Sequence, residues 1–208
     1  MARGRKFDEG GVFLNVPFDA GYERSFVALI AAVISLGRTP HCVLELPELG
    51  SGRLNRLFDL FERCRISIHD LSRVGVPARF NMPFELGLAC ALARYGKYKF
   101  PKGYAHDFII MEKTSYRLDR TLSDLKGIDP LIHHGRPKRI VSCVLDVLHS
   151  ASNNPKLITV CKFSNKLWKT AEEFKRMHGA TTIFTRSIFS DLVSAGLQFA
   201  VSAEHLSD

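Results

Sequence analysis

From Val12 to Leu148, short apolar runs alternate with longer stretches in which apolar residues recur every three or four positions. Val12-Phe-Leu-Asn-Val16 is a β-favouring run that stops at Pro17-Phe18-Asp19. From about Tyr22 to Leu36, Phe26, Leu29, Ile30, Val33 and Ile34 fall at helical spacing, and Gly37 stands where a C-terminal cap belongs. His41-Cys-Val-Leu-Glu45 reads as a second strand. Ser51-Gly52 opens a second amphipathic helix with Leu54, Leu57, Phe58 and Phe61 on one face. Arg65-Ile-Ser-Ile-His69 alternates and reads as a third strand ending at Asp70; a loop with Gly75 and Pro77 then leads to a third helix from about Met82 to Tyr95. Asp107–Met111 is a fourth strand, Pro130–His133 a short fifth, and Ile140–Leu148 is helical.

Strands and helices alternating at these lengths predict an α/β domain over residues 1–150: a mostly parallel sheet of about five strands with helices on both faces. In such sheets ligands bind beyond the carboxyl ends of the strands. Asn15, Asp19, Glu45 and Asp70 all fall there. Residues 151–208 form a different segment, with Ser152-Asn-Asn-Pro155 as a linker and helices expected at about 156–178 and 181–200. Trp168, Phe174 and Met177 form one expected apolar stripe, and Ile183, Ile188, Phe189, Leu192 and Leu197 another. This predicts a helical C-terminal appendage.

Composition removes several classes. Of 208 residues, 24% are charged and 46% hydrophobic, which suits a packed domain and not a disordered polyelectrolyte. Five cysteines are too few for a disulfide scaffold and form no Cys-x-x-Cys pair. No apolar run approaches the roughly 18 residues of a membrane span. The basic start, Met-Ala-Arg-Gly-Arg-Lys, runs into Phe7-Asp8-Glu9-Gly10-Gly11 and not into an apolar core. A cytoplasmic protein with reduced thiols and no membrane partner is the expectation. The net charge of +8 admits nucleic acid, anionic lipid or a small phosphorylated ligand.

The strongest chemical signal is Arg79-Phe-Asn-Met-Pro-Phe-Glu-Leu-Gly-Leu-Ala-Cys-Ala-Leu-Ala93. From Met82 to Ala93 its one charged residue is Glu85, whose helical neighbours Leu88, Ala89 and Leu92 are apolar. A carboxylate on such a face needs a partner, or its pKa rises; this is the pattern of functional sites. A helix-dipole role explains an exposed Glu well and a buried one poorly. Asn81 is expected to cap this helix, and Gly87, Ala89, Ala91 and Ala93 would let it approach the sheet closely. The second signal is Ser67-Ile-His-Asp-Leu-Ser72, which puts Asp70 at a strand end one loop before the Glu85 helix; Asp70 and Ser72 could equally cap a turn. His69 should point away from Asp70 and is read as structural. The third is Val12–Tyr22, where Asn15 interrupts an apolar strand and Asp19 overhangs it. No Gly-x-Gly-x-x-Gly or Gly-Lys-Ser/Thr loop is present. His133-His134 is a poor zinc pair because adjacent side chains diverge, and Cys90 reads as a core residue.

Together, the Asn-Val-Pro-Phe-Asp, Ile-His-Asp-Leu-Ser and Phe-Asn-Met-Pro-Phe-Glu-Leu-Gly segments resemble the nucleoside 2-deoxyribosyltransferase-like group and its Toll/interleukin-1-receptor-like (TIR-like) relatives, over residues 10–150. The resemblance implies a flavodoxin-like sheet and a glutamate that attacks or stabilises the anomeric carbon of a ribose or deoxyribose. Here that residue is Glu85, with Asp70 as the second acid. Asn15, Pro17, Phe18 and Asp19 would line the base side, with Ser72 and Asn81 nearby. Phe13-Leu-Asn-Val-Pro17 departs from the Tyr-Leu-Ala-Gly-Pro-like run of the family, which leaves the base undefined. No cofactor or metal is implied, and NAD enters as a candidate substrate. One buried Glu and one strand-end Asp suffice to stabilise positive charge on a sugar.

Three readings follow. The first is N-glycosidic cleavage or glycosyl transfer on a nucleoside, nucleotide or NAD, with Arg53, Arg56, Arg73 and Arg79 as phosphate contacts; Arg53 and Arg56 read equally as a solvated helix face. The second is a non-catalytic module that binds a nucleotide signal or assembles. Here the stripes at 183–197 either form a homo-oligomer interface or pack on the main domain. The third, lesser reading is nucleic-acid binding through residues 94–120. There Arg94, Lys97, Lys99, Lys102, Lys113, Arg117 and Arg120 are interleaved with Tyr95, Tyr98, Phe100 and Tyr104.

Overall fold

The computed structural model describes residues 7–46, 52–73, 80–99, 106–150 and 154–204. Ser51, the loop at Gly75 and Pro77, Arg79, the residues from Phe100 to Tyr104, and the start of the expected linker lie outside them. Five parallel strands form one sheet in the order β2-β1-β3-β4-β5. They are β1 (Asp8–Asn15), β2 (Thr39–His41), β3 (Cys64–Asp70), β4 (Asp107–Glu112) and β5 (Leu131–Ile132). The helices are α1 (Glu23–Ser35), α2 (Arg53–Arg63), α3 (Asn81–Lys99), α4 (Leu118–Thr121), α5 (Pro137–Leu148), α6 (Leu157–Met177) and α7 (Arg186–Glu204). This is the flavodoxin-like strand order, followed by C-terminal helices. The order reverses between β1 and β3, where such sheets open a crevice at their carboxyl ends. Asn15 and His69 face each other in register at that place.

The chain forms two compact units, and the sequence-based boundary at residue 150 falls inside the second. The first comprises residues 1–17 and 41–134. Within it α2 and α3 pack on the sheet: Phe13, Leu57, Leu60, Phe61, Cys64 and Ala89 form one core cluster, and Leu71, Met82, Leu86, Ile110 and Leu118 a second. The register of β1 against β3 slips between Asp8 and Val12. Gly11 lies in that bulge, where an added Cβ would stand 3.1 Å from both the Asp8 carbonyl and the His41 ring. The second expected strand is shorter and earlier than its sequence suggests. Pro40 suits an edge strand, the strand ends at His41, and Val43–Glu45 coil into a single 3-10 turn. The His41 ring is wedged between Asp8 (3.0 Å) and Glu45 (3.1 Å), and Arg63 also reaches Glu45 at 3.1 Å. Glu45 is thereby committed to an ion-pair network.

The second unit comprises residues 18–40 and 135–208. α1 is buried on every side from Ser25 to Ile34, since Val27, Ala28, Ala31 and Ala32 add a second apolar face to the expected one. α5, α6 and α7 pack against it. The buried positions of α6 are Val160, Ser164, Leu167 and Ala171, which correct the expected stripe: Met177 is exposed, and Trp168 and Phe174 are half-buried. The second stripe forms at Ile183, Ile188, Phe189 and Leu192, whereas Leu197 is exposed. Glu23, buried in the first turn of α1, accepts from Lys175 Nζ at 3.0 Å and from the Ile183 backbone N–H at 3.1 Å, which ties the α6–α7 loop to α1. Phe18 rings against Phe184 at 5.1 Å, and Phe184 against Phe26 at 5.3 Å. Among the described residues no helix is long and apolar enough to cross a membrane.

Candidate active site at the ends of β1 and β3

Glu85 lies one turn into α3 and is 2% exposed. Its helical neighbours Ala89, Leu88 and Leu92 belong to the core under α2, as the spacing predicts. Arg53, in the first turn of α2, donates from Nη2 to Glu85 Oε1 at 3.2 Å, although the Arg53 side chain itself is 52% exposed. Asn15 and Asn81 present their amides to the carboxylate and favour its charged form. Glu85 Oε2 is buried with no hydrogen-bonding partner among the described residues. Burial pushes the Glu85 pKa up; Arg53, Asn15 and Asn81 act against that rise without cancelling it. The Cys42 thiol stands close enough to feel the Glu85 charge, and burial raises its pKa to about 12, so it is a neutral neighbour.

Asn81 is not a cap. It is the first residue of α3, and its side chain reaches Glu85 one turn on, the i,i+4 geometry of a helix face. The small residues of α3 do not set a close approach to the sheet. Gly87 and Ala91 are exposed, a Cβ on Gly87 would meet nothing within 4 Å, and only Ala89 is fully buried.

Asn15 is buried at the end of β1, and its amide stands 3.0 Å from His69 Nδ1. A polar residue inside an apolar strand requires such a partner. His69 is itself fully buried. Its Nε2 lies 2.9 Å from Ser67 Oγ, which lies 2.8 Å from His106 Nε2, and His106 Nδ1 faces the Cys64 carbonyl at 3.1 Å. Burial, then the neighbouring imidazole, depresses His69 to about 3, and burial depresses His106 to about 4, so both rings are neutral at ordinary pH. Sequence alternation identifies His69 as pointing away from Asp70 but does not reveal that Asn15 stands opposite it. That fact depends on the β1–β3 register.

Asp70, fully buried, belongs to a different cluster. Its Oδ2 pairs with His133 Nε2 at 3.0 Å, and its Oδ1 accepts from the Ser72 backbone N–H at 2.8 Å. Ser72 Oγ contacts the same His133 nitrogen at 2.9 Å. Because Asp70 and Ser72 share one nitrogen, the imidazole cannot relay a proton between them, and the trio is not a nucleophilic triad. Beside it, Arg117 bonds Glu112 and the carbonyls of Leu71 and Ser72. Glu112 is 2% exposed and burial raises its pKa, an effect that Arg117 opposes. Arg117 is thus an internal clamp and not part of a basic nucleic-acid surface, as its place in the 94–120 stretch suggested.

The sequence-predicted residues therefore divide. Asn15 and Asn81 join Glu85, and Ser72 joins Asp70 on His133. Pro17 is buried at the end of the first unit. Phe18 and Asp19 open the second unit, where the Phe18 ring packs tilted against Phe184 and the Asp19 carbonyl accepts from Tyr22 N–H at 2.7 Å. Of the expected phosphate contacts, Arg53 is bound to Glu85, and Arg56 and Arg73 are half-exposed. No group of three or more His, Cys, Asp or Glu is placed to hold a metal among the described residues. Compared with protein-family models, curated proteins and solved structures, the chain finds no match.

Proposed function

We propose that the protein cleaves or transfers an N-glycosidic bond of a nucleoside, nucleotide or NAD, with Glu85 as nucleophile or as stabiliser of the oxocarbenium-like sugar. The observation that carries this reading is the Glu85 carboxylate, which is buried at the switch point of a parallel sheet, held through Oε1 and left with an Oε2 that has no partner among the described residues. A carboxylate that is poorly stabilised in the resting protein gains most when positive charge develops beside it, and differential stabilisation of that kind is what accelerates a reaction. Asn81, exposed at the start of α3, is a polar group available to a sugar hydroxyl. Arg53, half-exposed, can exchange Glu85 for a substrate phosphate. In this reading Asp70 organises the strand ends and the turn that follows, so Glu85 is the residue whose loss abolishes turnover.

The alternative is a module that binds a nucleotide or assembles without turnover. It is favoured by the near-complete burial of Glu85 and its existing ion pair, which close the carboxylate to an approaching sugar. A base-release assay separates the two. The protein is incubated with NAD, deoxynucleosides, ribonucleosides and nucleoside monophosphates, and free base is followed by chromatography. Base release from at least one supports the enzymatic reading, whereas saturable binding without product supports the module.

A further inference from the structure

The hydrogen bonds behind Asn15 can be oriented one by one, starting from their far end. The Cys64 carbonyl only accepts, so His106 carries its proton on Nδ1, and its Nε2 is a lone pair. Ser67 must then donate its O–H to His106 Nε2, which leaves Ser67 Oγ to accept from His69 Nε2–H. His69 Nδ1 is consequently the acceptor, and the group facing it must be the Asn15 NH₂ and not its oxygen. Every member is buried: Asn15 is 6% exposed, Ser67 and His69 are 0%, and His106 is 1%.

We propose that His69, oriented by Ser67 and His106, is a positioning residue: it fixes which end of the Asn15 amide faces Glu85, so that the carboxylate meets N–H and not C=O. An Asn without this constraint has two nearly isosteric orientations, and the reversed one sets an oxygen against a carboxylate. The neutrality of both imidazoles keeps the order of donors and acceptors unchanged across the working pH range. The other groups facing Glu85 are Arg53 from α2, Cys42 from the segment after β2, and Asn81 from its own helix. Among the described residues, none of these three hydrogen-bonds to the Ser67–His69–His106 chain.

The test is a side-chain ¹³C NMR titration of Glu85 in the full chain, with the resonance assigned by its loss in Glu85→Gln. It needs no substrate, so its outcome is independent of the glycosidic reading. His69→Leu removes the acceptor, and Ser67→Ala removes the hydroxyl that sets the tautomer. His69→Gln retains an acceptor towards Asn15 and a donor towards Ser67. Glu85 should titrate higher by about one pH unit in His69→Leu and, to a lesser extent, in Ser67→Ala. His69→Gln should restore the wild-type titration. If His69→Leu fails to fold, Ser67→Ala decides, since it removes one hydroxyl and leaves the packing in place. An unchanged Glu85 titration in folded Ser67→Ala, or a His69→Gln variant that titrates like His69→Leu, overturns the proposal.

Discussion

Two forces compete over the charge on Glu85, and pH reads which one prevails. Burial raises its pKa from the ordinary value of 4.5, whereas Arg53 and the two asparagines lower it. Burial should win. Arg53 offers a single bond at 3.2 Å from a side chain that is 52% exposed, so solvent screens it, and Oε2 has no partner among the described residues. A folded-state pKa above the unfolded one means that the folded protein holds the proton more tightly. Stability is then greatest below the unfolded pKa, falls as pH rises between the two values, and stays reduced above the folded one. Each unit of separation corresponds to about 1.4 kcal/mol, and each kcal/mol to about 2–4 °C in Tm for a chain of this size. Glu85→Gln cannot titrate. Its constant cost or gain from exchanging a carboxylate for an amide shifts the whole curve but leaves no pH dependence of its own. The Tm difference, variant minus wild type, should therefore climb by a few degrees between pH 4 and pH 8, read by thermal melts at matched ionic strength. A flat difference would show that Arg53 and the asparagines balance burial, and one that falls as pH rises would show that they outweigh it; either excludes a raised Glu85 pKa.

Other consequences follow from the same contacts. Arg117→Met leaves Glu112 buried without its cation and two carbonyls without their donor. It should cost about 3–5 kcal/mol, with much of the loss recovered in Arg117→Met/Glu112→Gln, as urea denaturation would measure. Glu23→Ala strands the buried Ile183 N–H and should cost about 1–3 kcal/mol in the same assay, whereas mutating the exposed neighbour Arg24 should change stability by less than about 1 kcal/mol. Gly196→Ala would put a Cβ 2.6 Å from Ile34 Cδ1, and Ile34 is only 2% exposed. About 1–3 kcal/mol of overpacking is expected, and Ile34→Val should relieve it in the double variant.

The sheet and its helices were legible because apolar spacing repeats faithfully in α1, α2, β3 and α5, where one face or all faces are buried. The sequence extends the second strand too far because Cys42, Val43 and Leu44 are as apolar as strand residues. Only the contacts of His41 with Asp8 and Glu45 and the turn at Val43–Glu45 show where extended pairing stops. Glu85 stood out because a charge inside an apolar stripe violates the helical pattern. Asn15 stood out for the same reason in a strand. Their partners were not legible. Arg53 looks like any cation on an amphipathic helix, and His69 acquires meaning only through the register that sets Asn15 opposite it. Asp70 and Glu85 are one loop apart in sequence, which suggested a shared pocket. Alternation along β3 turns Asp70 to the face opposite His69, where His133 and Ser72 absorb its hydrogen bonds.

In the proposed function, Glu85 is the residue on which turnover depends. The most direct measurement is the initial rate of free-base release by wild type and by folded Glu85→Gln, on whichever member of the NAD, nucleoside and nucleotide panel wild type turns over fastest. A loss of about 10²–10³-fold or more is expected in the variant, with binding of the same ligand retained. Base release by Glu85→Gln at the wild-type rate would contradict it.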